Sequence, residues 1–364
     1  MIDVPPAYVV ERLPKPAPVV ESYHSLIKKK LGIKTNPIGK GSYSKVYDYF
    51  YNGQNCVVKI AVSEEACKML EKENEMYKTL SNTDFFPKIE NYEKGYLIME
   101  KLGKILFELI QDKIGDSHKK VYFKEMVQAV KICHKNRICH HDIKNNNFMT
   151  SINPPNQIKL LDFGLSHTFG IEMVQPSEEV KEELEHLIIP PEMLDNFKCA
   201  GHHDIFMLGI CLFELEAGYP PFENTYYCEY WKAFIKFIKE NKDRFWRWNV
   251  EKENFKPSED FKELLAGMLN PDLEKRFTID DVINSKYYKS CLEAVGASAA
   301  SPFKSHKKRK SNKRVRGQRT SRRKAKRGSA RARRVKTALN SPLKKGRTPK
   351  ARFHRGVPPP HGGI

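Results

Sequence analysis

The 364-residue chain carries 64 Lys and Arg against 44 Asp and Glu, a formal charge of +20, with 40% hydrophobic residues. The excess is local: the last 64 residues hold 24 Lys/Arg and no Asp or Glu, so a mildly acidic body precedes a strongly cationic tail. Eight cysteines without paired spacing exclude a disulfide scaffold and point to a reducing compartment. The longest apolar run, nine residues from Ile205 to Phe213, falls short of the ~20 needed to span a bilayer, so no membrane segment is expected. Met1-Ile2-Asp3-Val4-Pro5-Pro6 has an early acid and prolines where a secretory signal needs basic and then apolar residues.

Residues 1–33 hold five prolines between Pro5 and Pro18, then Lys28-Lys29-Lys30, and read as an extended arm on the body or in solvent. From 34 to 101 the pattern is strand-rich. Gly39 to Ser44 is a Gly/Ser turn, and Lys45 to Phe50 is aromatic and β-branched. Asn52-Gly53 signals a hairpin before the apolar strand Asn55 to Ala61. Glu64 to Leu80 has no Gly or Pro and predicts a helix. Two short strands are expected around Lys94-Gly95, between Tyr92 and Glu100.

From 102 to 290 helices dominate. Tyr122, Met126, Val127, Val130 and Cys133 recur at helical spacing within Lys119 to Lys135. Ile205 to Ala217 is apolar nearly all round, as a helix in the middle of a domain would be. Lys232 to Lys239, Asp260 to Met268 and Ile279 to Ser285 are the further helices. After Gly296 too few core-forming residues remain to offset ordering entropy. The expected fold class is α+β: a small β-rich lobe with one helix (34–101), a larger mainly α-helical lobe (102–290) and a cleft between them. Residues 291–364 are expected to form a disordered Lys/Arg-rich tail.

Chemistry-bearing motifs follow this division. Bare backbone at Gly39 and Gly41 lets amide N–H groups approach a phosphate chain. Lys59 lies among Val57, Val58 and Ile60, where a charge is costly to bury unless an anion meets it. Nucleotide phosphate and a carboxylate of the next helix would serve; Glu73 is the preferred carboxylate, Glu75 the alternative. The run from Cys139 to Met149 contains Asp142, able to accept a proton from a hydroxyl, and Lys144, able to steady a moving phosphoryl group. Asn147 and Asp162 offer hard oxygens suited to Mg²⁺. Cys133, His134, Cys139, His140 and His141 also gather donor atoms, yet their spacing fits no common zinc pattern, so no metal site is expected there. His202-His203 reads as a turn before the buried helix.

In this order the motifs closely resemble those of the eukaryotic protein kinase family, across roughly residues 33–290, about 70% of the chain. Gly39 to Val46 matches the family's Gly loop, Lys59 its strand-three lysine, His140 to Asn147 its catalytic loop and Asp162-Phe163-Gly164 its magnesium motif. Pro190-Pro191-Glu192 stands for the segment-closing motif, with Arg276 placed to pair with Glu192, and Asp204 to Gly209 for the buried-helix motif. The resemblance implies a two-lobed protein kinase fold, ATP as donor, Mg²⁺ as ion and protein substrates. Lys144, two residues after Asp142, implies serine/threonine specificity. It further implies that Ile38, Gly39, Lys40, Gly41, Ser42, Tyr43, Ser44 and Val46 cover the nucleotide. Met99 guards the back of the adenine pocket, Glu100 to Leu102 form the hinge, and Val46, Val57 and Met149 sandwich the ring. His140 is implied to pack under Phe163.

Three departures stand out. Ser44 replaces the third glycine, Val57 an alanine, and His141 the arginine that in the family pairs with an activation-segment phosphate. Activity without phosphorylation at Ser166, Thr168 or Ser177 is therefore expected. Glu172, Glu178, Glu179, Glu182, Glu183 and Glu185 would favour basic substrates. The tail, with Lys307 to Lys310, Arg322 to Lys324 and Arg331 to Arg334, is expected to bind DNA or another nucleic acid without sequence specificity and to direct the protein to the nucleus. A divergent body on a protamine-like tail suggests a large DNA virus as source. The alternative is a nucleic-acid-packaging or scaffold protein whose kinase-like body mainly binds.

Overall fold

A computed structural model describes residues 21–152, 157–173, 190–194, 197–221 and 255–299. Five antiparallel strands form one sheet: β1 (Gly39–Lys40), β2 (Ser44–Tyr51), β3 (Gln54–Ala61), β4 (Ile89–Glu93) and β5 (Tyr96–Glu100), in the order β1-β2-β3-β5-β4. The β2–β3 turn closes because Asn52 and Gly53 both adopt positive φ, 46° and 81°, as a two-residue hairpin favours. Central β3 is buried on both faces. By the two-residue period, Cys56, Val58 and Ile60 join Tyr47, Tyr96 and Ile98 on one side. Val57, Lys59 and Ala61 occupy the other, where Val57 and Ala61 join Leu97 and Met99 in the main core.

The end of the expected extended arm is instead a helix, α1 (Tyr23–Lys30), capped by the Ser22 hydroxyl, which accepts the Ser25 N–H. Its buried residues, His24 and Ile27, sit three apart and cover the outer face of the sheet. Gly95 allows the close approach: at φ 99°, a Cβ there would lie 2.4 Å from Ile27 Cδ1. The proline-rich residues 1–20 lie outside the described residues.

Helix α2 (Glu64–Leu80) keeps the bounds the sequence suggested. Ser63 caps it by accepting the Ala66 N–H, and Glu64 and Glu65 suit the positive helix start. Ala66, Leu70, Glu73, Tyr77 and Leu80 form its buried stripe. The second lobe contains α3 (Leu106–Gln111), α4 (Asp116–Lys135), β6 (Ile138–Cys139), β7 (Phe148–Thr150), β8 (Ile158–Leu160), β9 (His167–Thr168), β10 (Glu172–Met173) and β11 (Phe197–Lys198). It continues with α5 (His202–Ala217), α6 (Glu259–Met268), α7 (Ile279–Asn284) and α8 (Lys286–Ala299).

Helix α5 is buried along most of its length, Ile205, Phe206, Leu208, Leu212, Phe213 and Leu215 among its core residues, at ~1.5–3 kcal/mol for each large apolar side chain removed from water. His202 and His203 belong to its first turn, not to a preceding loop. Helix α8 corrects the expected boundary at residue 291. Cys291 is fully buried, Tyr288 accepts a 2.6 Å bond from Gln128 of α4, and the helix runs to Ala299. The expected helix at 232–239 and the tail from residue 300 lie outside the described residues. Among the described residues no helix is long and apolar enough to cross a membrane.

Candidate functional site

The cleft between the lobes is lined by Gly41 to Ser44, Lys59, Glu73, Asp162 and Gly164. Its roof is the β1–β2 turn, drawn tight by the Gly41 N–H donating to the Ser44 carbonyl at 2.8 Å. Gly39 pairs with Val46 across the turn, and the Ile38 N–H donates to the Val46 carbonyl at 2.8 Å, leaving the Ile38 side chain exposed. Lys40 is exposed, while Ser42 and Tyr43 are half-buried. On the next strand Lys59 faces α2. Its Nζ donates to Glu73 Oε2 at 2.6 Å and to Asp162 Oδ1 at 3.2 Å. Burial disfavours the ammonium, but the carboxylates of Asp162 and Glu73 outweigh it and raise the Lys59 pKa, so the lysine stays charged. Glu75 is exposed and takes no part.

Strand pairing assembles the lower wall. Phe148 of β7 lies opposite Leu160 of β8, so the residue before one strand meets the residues after the other. The Leu161 N–H donates to the Asn147 carbonyl at 2.9 Å, bringing Asn147 beside Asp162. Asn147 Nδ2 donates to the Asp142 carbonyl at 2.7 Å and to Asp142 Oδ2 at 3.0 Å. The amide nitrogen is thus committed to Asp142, and the amide oxygen is the end suited to a cation. Lys144 Nζ donates to both Asp142 oxygens, at 2.7 and 2.8 Å. A carboxylate, an amide oxygen and few other donors make a hard-oxygen set of the kind that fits Mg²⁺ with phosphate oxygens.

Behind these groups runs a column of buried rings. Tyr77 meets Phe163 edge-on at 5.1 Å, and Phe163 meets His140 at 4.7 Å. Burial lowers the His140 pKa and keeps the ring neutral. Its Nδ1 accepts the Asp142 N–H at 3.2 Å, so Nε2 carries the hydrogen donated to the Leu161 carbonyl at 2.9 Å. One neutral ring therefore connects the loop of Asp142 to the strand that presents Asp162. At the base, Asp204 accepts the N–H groups of His140 and His141, at 2.8 and 2.9 Å, and a bond from His134 Nε2 at 3.0 Å. Burial alone would raise its pKa, but His134 and the neighbouring histidines hold it well below the carboxylate range. Farther off, the buried Arg276 donates to both Glu192 oxygens, at 2.5 and 2.9 Å, and also to the His202 and Asn270 carbonyls.

Farther along β3, Val57 pairs with Met99 at the end of β5, and both are buried. Glu100 to Leu102 leave the sheet there; Met149 is half-buried in β7. Two groups escaped the sequence reading. The Tyr77 hydroxyl accepts the Asp162 N–H at 3.1 Å, joining α2 to Asp162. Lys159, buried in β8, donates to Glu100 Oε1 and to the Phe86 carbonyl, holding the strand exit. An isolated lysine between Ile158 and Leu160 repeats the pattern that singled out Lys59 and is the signal that would have found it.

The donor cluster around His141 differs from expectation. Cys133, His134 and His140 are engaged elsewhere, but Cys139 and His141 meet Cys199, with the three ligand atoms within 4.8 Å of one another. Spacing along the chain missed it because Cys199 lies 58 residues beyond His141.

A comparison with protein-family models matches residues 33–288 to the protein kinase domain. Among curated proteins, the chain is 28% identical over 283 residues to the probable serine/threonine-protein kinase MARK-A of Dictyostelium discoideum, covering 73% of this chain and 24% of that one. It is 28% identical over 259 residues to the probable serine/threonine-protein kinase 2 of Plasmodium falciparum, covering 67% and 48%. With the CBL-interacting serine/threonine-protein kinase 15 of Arabidopsis thaliana the identity is 24% over 282 residues, covering 70% and 60%. The chain thus spans less than two thirds of the length of each of these relatives.

Proposed function

Because the chain belongs to the protein kinase family, we propose that it transfers the γ-phosphoryl group of ATP to serine and threonine hydroxyls of proteins. The observation that carries this reading is the Lys59 ammonium held between Glu73 and Asp162, at 2.6 and 3.2 Å, in the same cleft as Asp142, Lys144 and Asn147. Asp142 takes the proton of the incoming hydroxyl, and Lys144, already against both its oxygens, steadies the transferred group. Lys59 orients the phosphates beneath the backbone N–H groups of Gly39 to Ser44. Asn147 and Asp162 would hold Mg²⁺, which would offset the charge of the phosphates. His141 in place of arginine supports activity without activation-segment phosphorylation. Ser166 is fully buried with its hydroxyl on the Phe163 carbonyl, so it offers no accessible acceptor.

The preferred substrates are basic proteins, drawn by the glutamates after residue 171; all but Glu172 of these lie outside the described residues. The tail tethers the enzyme to nucleic acid, in the nucleus. Radiolabel transfer from ATP to a basic protein tests the central reading. Asp142→Asn should lower the rate ~100-fold or more; equal transfer by parent and variant would falsify it. Peptides differing only in flanking Lys/Arg test the substrate preference, which equal rates for basic and acidic peptides would remove.

A further inference from the structure

His141 occupies the catalytic loop in a left-handed conformation, φ 61°, which a non-glycine residue keeps only where its surroundings hold it. Asp204 holds its backbone, and its ring points Nε2 at Cys199 Sγ, 3.3 Å away. Cys139 and Cys199 are both buried, 0% and 1% exposed. The Cys139 sulfur accepts the Gly201 N–H at 3.0 Å. With a nitrogen of His141, the two sulfurs lie within 4.8 Å of one another.

We propose that Cys139, His141 and Cys199 bind a thiolate-preferring cation, Zn²⁺ in the first instance, which fastens the catalytic loop to the segment entering α5. Zinc takes sulfur at ~2.3 Å and imidazole nitrogen at ~2.0–2.1 Å, so tetrahedral ligands stand ~3.6–3.8 Å apart. The 3.3 Å separation of His141 and Cys199 needs only a small adjustment. A fourth protein ligand would have to move in, because His167 is not among the side chains whose ligand atoms gather within 4.8 Å. His167 is the strand partner of Cys139 across β6–β9, which places both side chains on one face. Its Nδ1 is buried without a hydrogen-bond partner among the described residues. Zinc takes sulfur as thiolate, so binding releases the thiol protons to solvent. The ion would supply, through coordination, the loop-to-segment link that the family's arginine makes to a phosphate.

The test uses the full-length chain, purified under reducing conditions without chelator. Elemental analysis should find about one zinc per chain. Replacement by Co²⁺ should give thiolate-to-cobalt charge transfer and tetrahedral ligand-field absorption. Cys139→Ser with Cys199→Ser should abolish both signals, Cys211→Ser should keep them, and His141→Ala should weaken cobalt affinity at least ~10-fold. A parent chain with neither zinc nor a cobalt–thiolate band overturns the proposal, as does a band that survives in the double variant or a Cys139–Cys199 disulfide in place of metal. Should the double variant fail to fold, the cobalt titration of the parent chain decides alone. None of these readouts depends on phosphoryl transfer, so their failure is distinct from failure of the kinase reading.

Discussion

Lys59 shows how one side chain can carry two roles. In the proposed reaction it orients phosphate, and in the structure it is the counter-ion of Glu73, which is 2% exposed. Lys59→Met leaves that carboxylate buried beside only Asp162, so stability should fall by ~3–5 kcal/mol along with activity. Chemical denaturation of the variant checks this, and an unchanged midpoint would show that the pair is not coupled to folding. Arg276 and Glu192 are buried in the same manner, and Glu192→Ala should cost a similar ~3–5 kcal/mol without touching the nucleotide cleft. Lys59 was legible in the sequence because a charge inside an apolar run must have a partner, whereas Arg276 and Glu192 were assigned only through the resemblance of the motifs. Tyr77 was not legible, since a tyrosine in a buried helix stripe looks like core until the Asp162 N–H is seen on its hydroxyl.

At the level of elements, local rules were sufficient where a segment carried its own signals. Helix α2 has a cap, an acidic first turn and an unbroken periodic stripe. The β2–β3 hairpin has Asn-Gly. By contrast α3 has six residues and no side-chain cap, and α8 contains a glycine and small residues that resemble a linker. What defines α8 is tertiary: Tyr287, Tyr288 and Cys291 packed in the core. Helix α1 was hidden behind prolines and lysines for the same reason. Its docking on β3 predicts that Ile27→Ala costs ~2–5 kcal/mol if the lobe unfolds with it. Gly95→Ala should be as damaging, because its Cβ would also meet Tyr23 Oη at 2.7 Å. Thermal unfolding of both variants checks this; midpoints equal to the parent would mean that α1 is a detachable appendage.

For the molecule as a whole, acid should be destabilising in a defined window. Burial, then Lys72 and His141, lowers His167 to about 4, and burial, then His141, lowers His203 to about 3. In the unfolded chain both titrate near ~6.5. Between those values the unfolded state binds protons that the folded state refuses. Stability should therefore decline as pH falls below ~6.5, by up to ~1.4 kcal/mol per pH unit for each histidine. Denaturation midpoints at several pH values, compared with His203→Gln, test the slope. Truncation belongs after residue 299, because an earlier cut would remove part of α8. Tethering then predicts lost retention on nucleic acid with unchanged peptide kinetics, whereas a rise in peptide turnover would mean that the tail occupies the cleft.

All seven cysteines among the described residues are buried. A thiol-reactive dye added to the native enzyme can modify them only when the surrounding element opens. The rate at each site is then a built-in clock for breathing motions: Cys67 times α2, Cys56 the sheet, Cys211 the central helix and Cys291 the last one. Nucleotide should slow the first far more than the last, which would turn ligand protection into a map of which parts of the enzyme respond to occupancy.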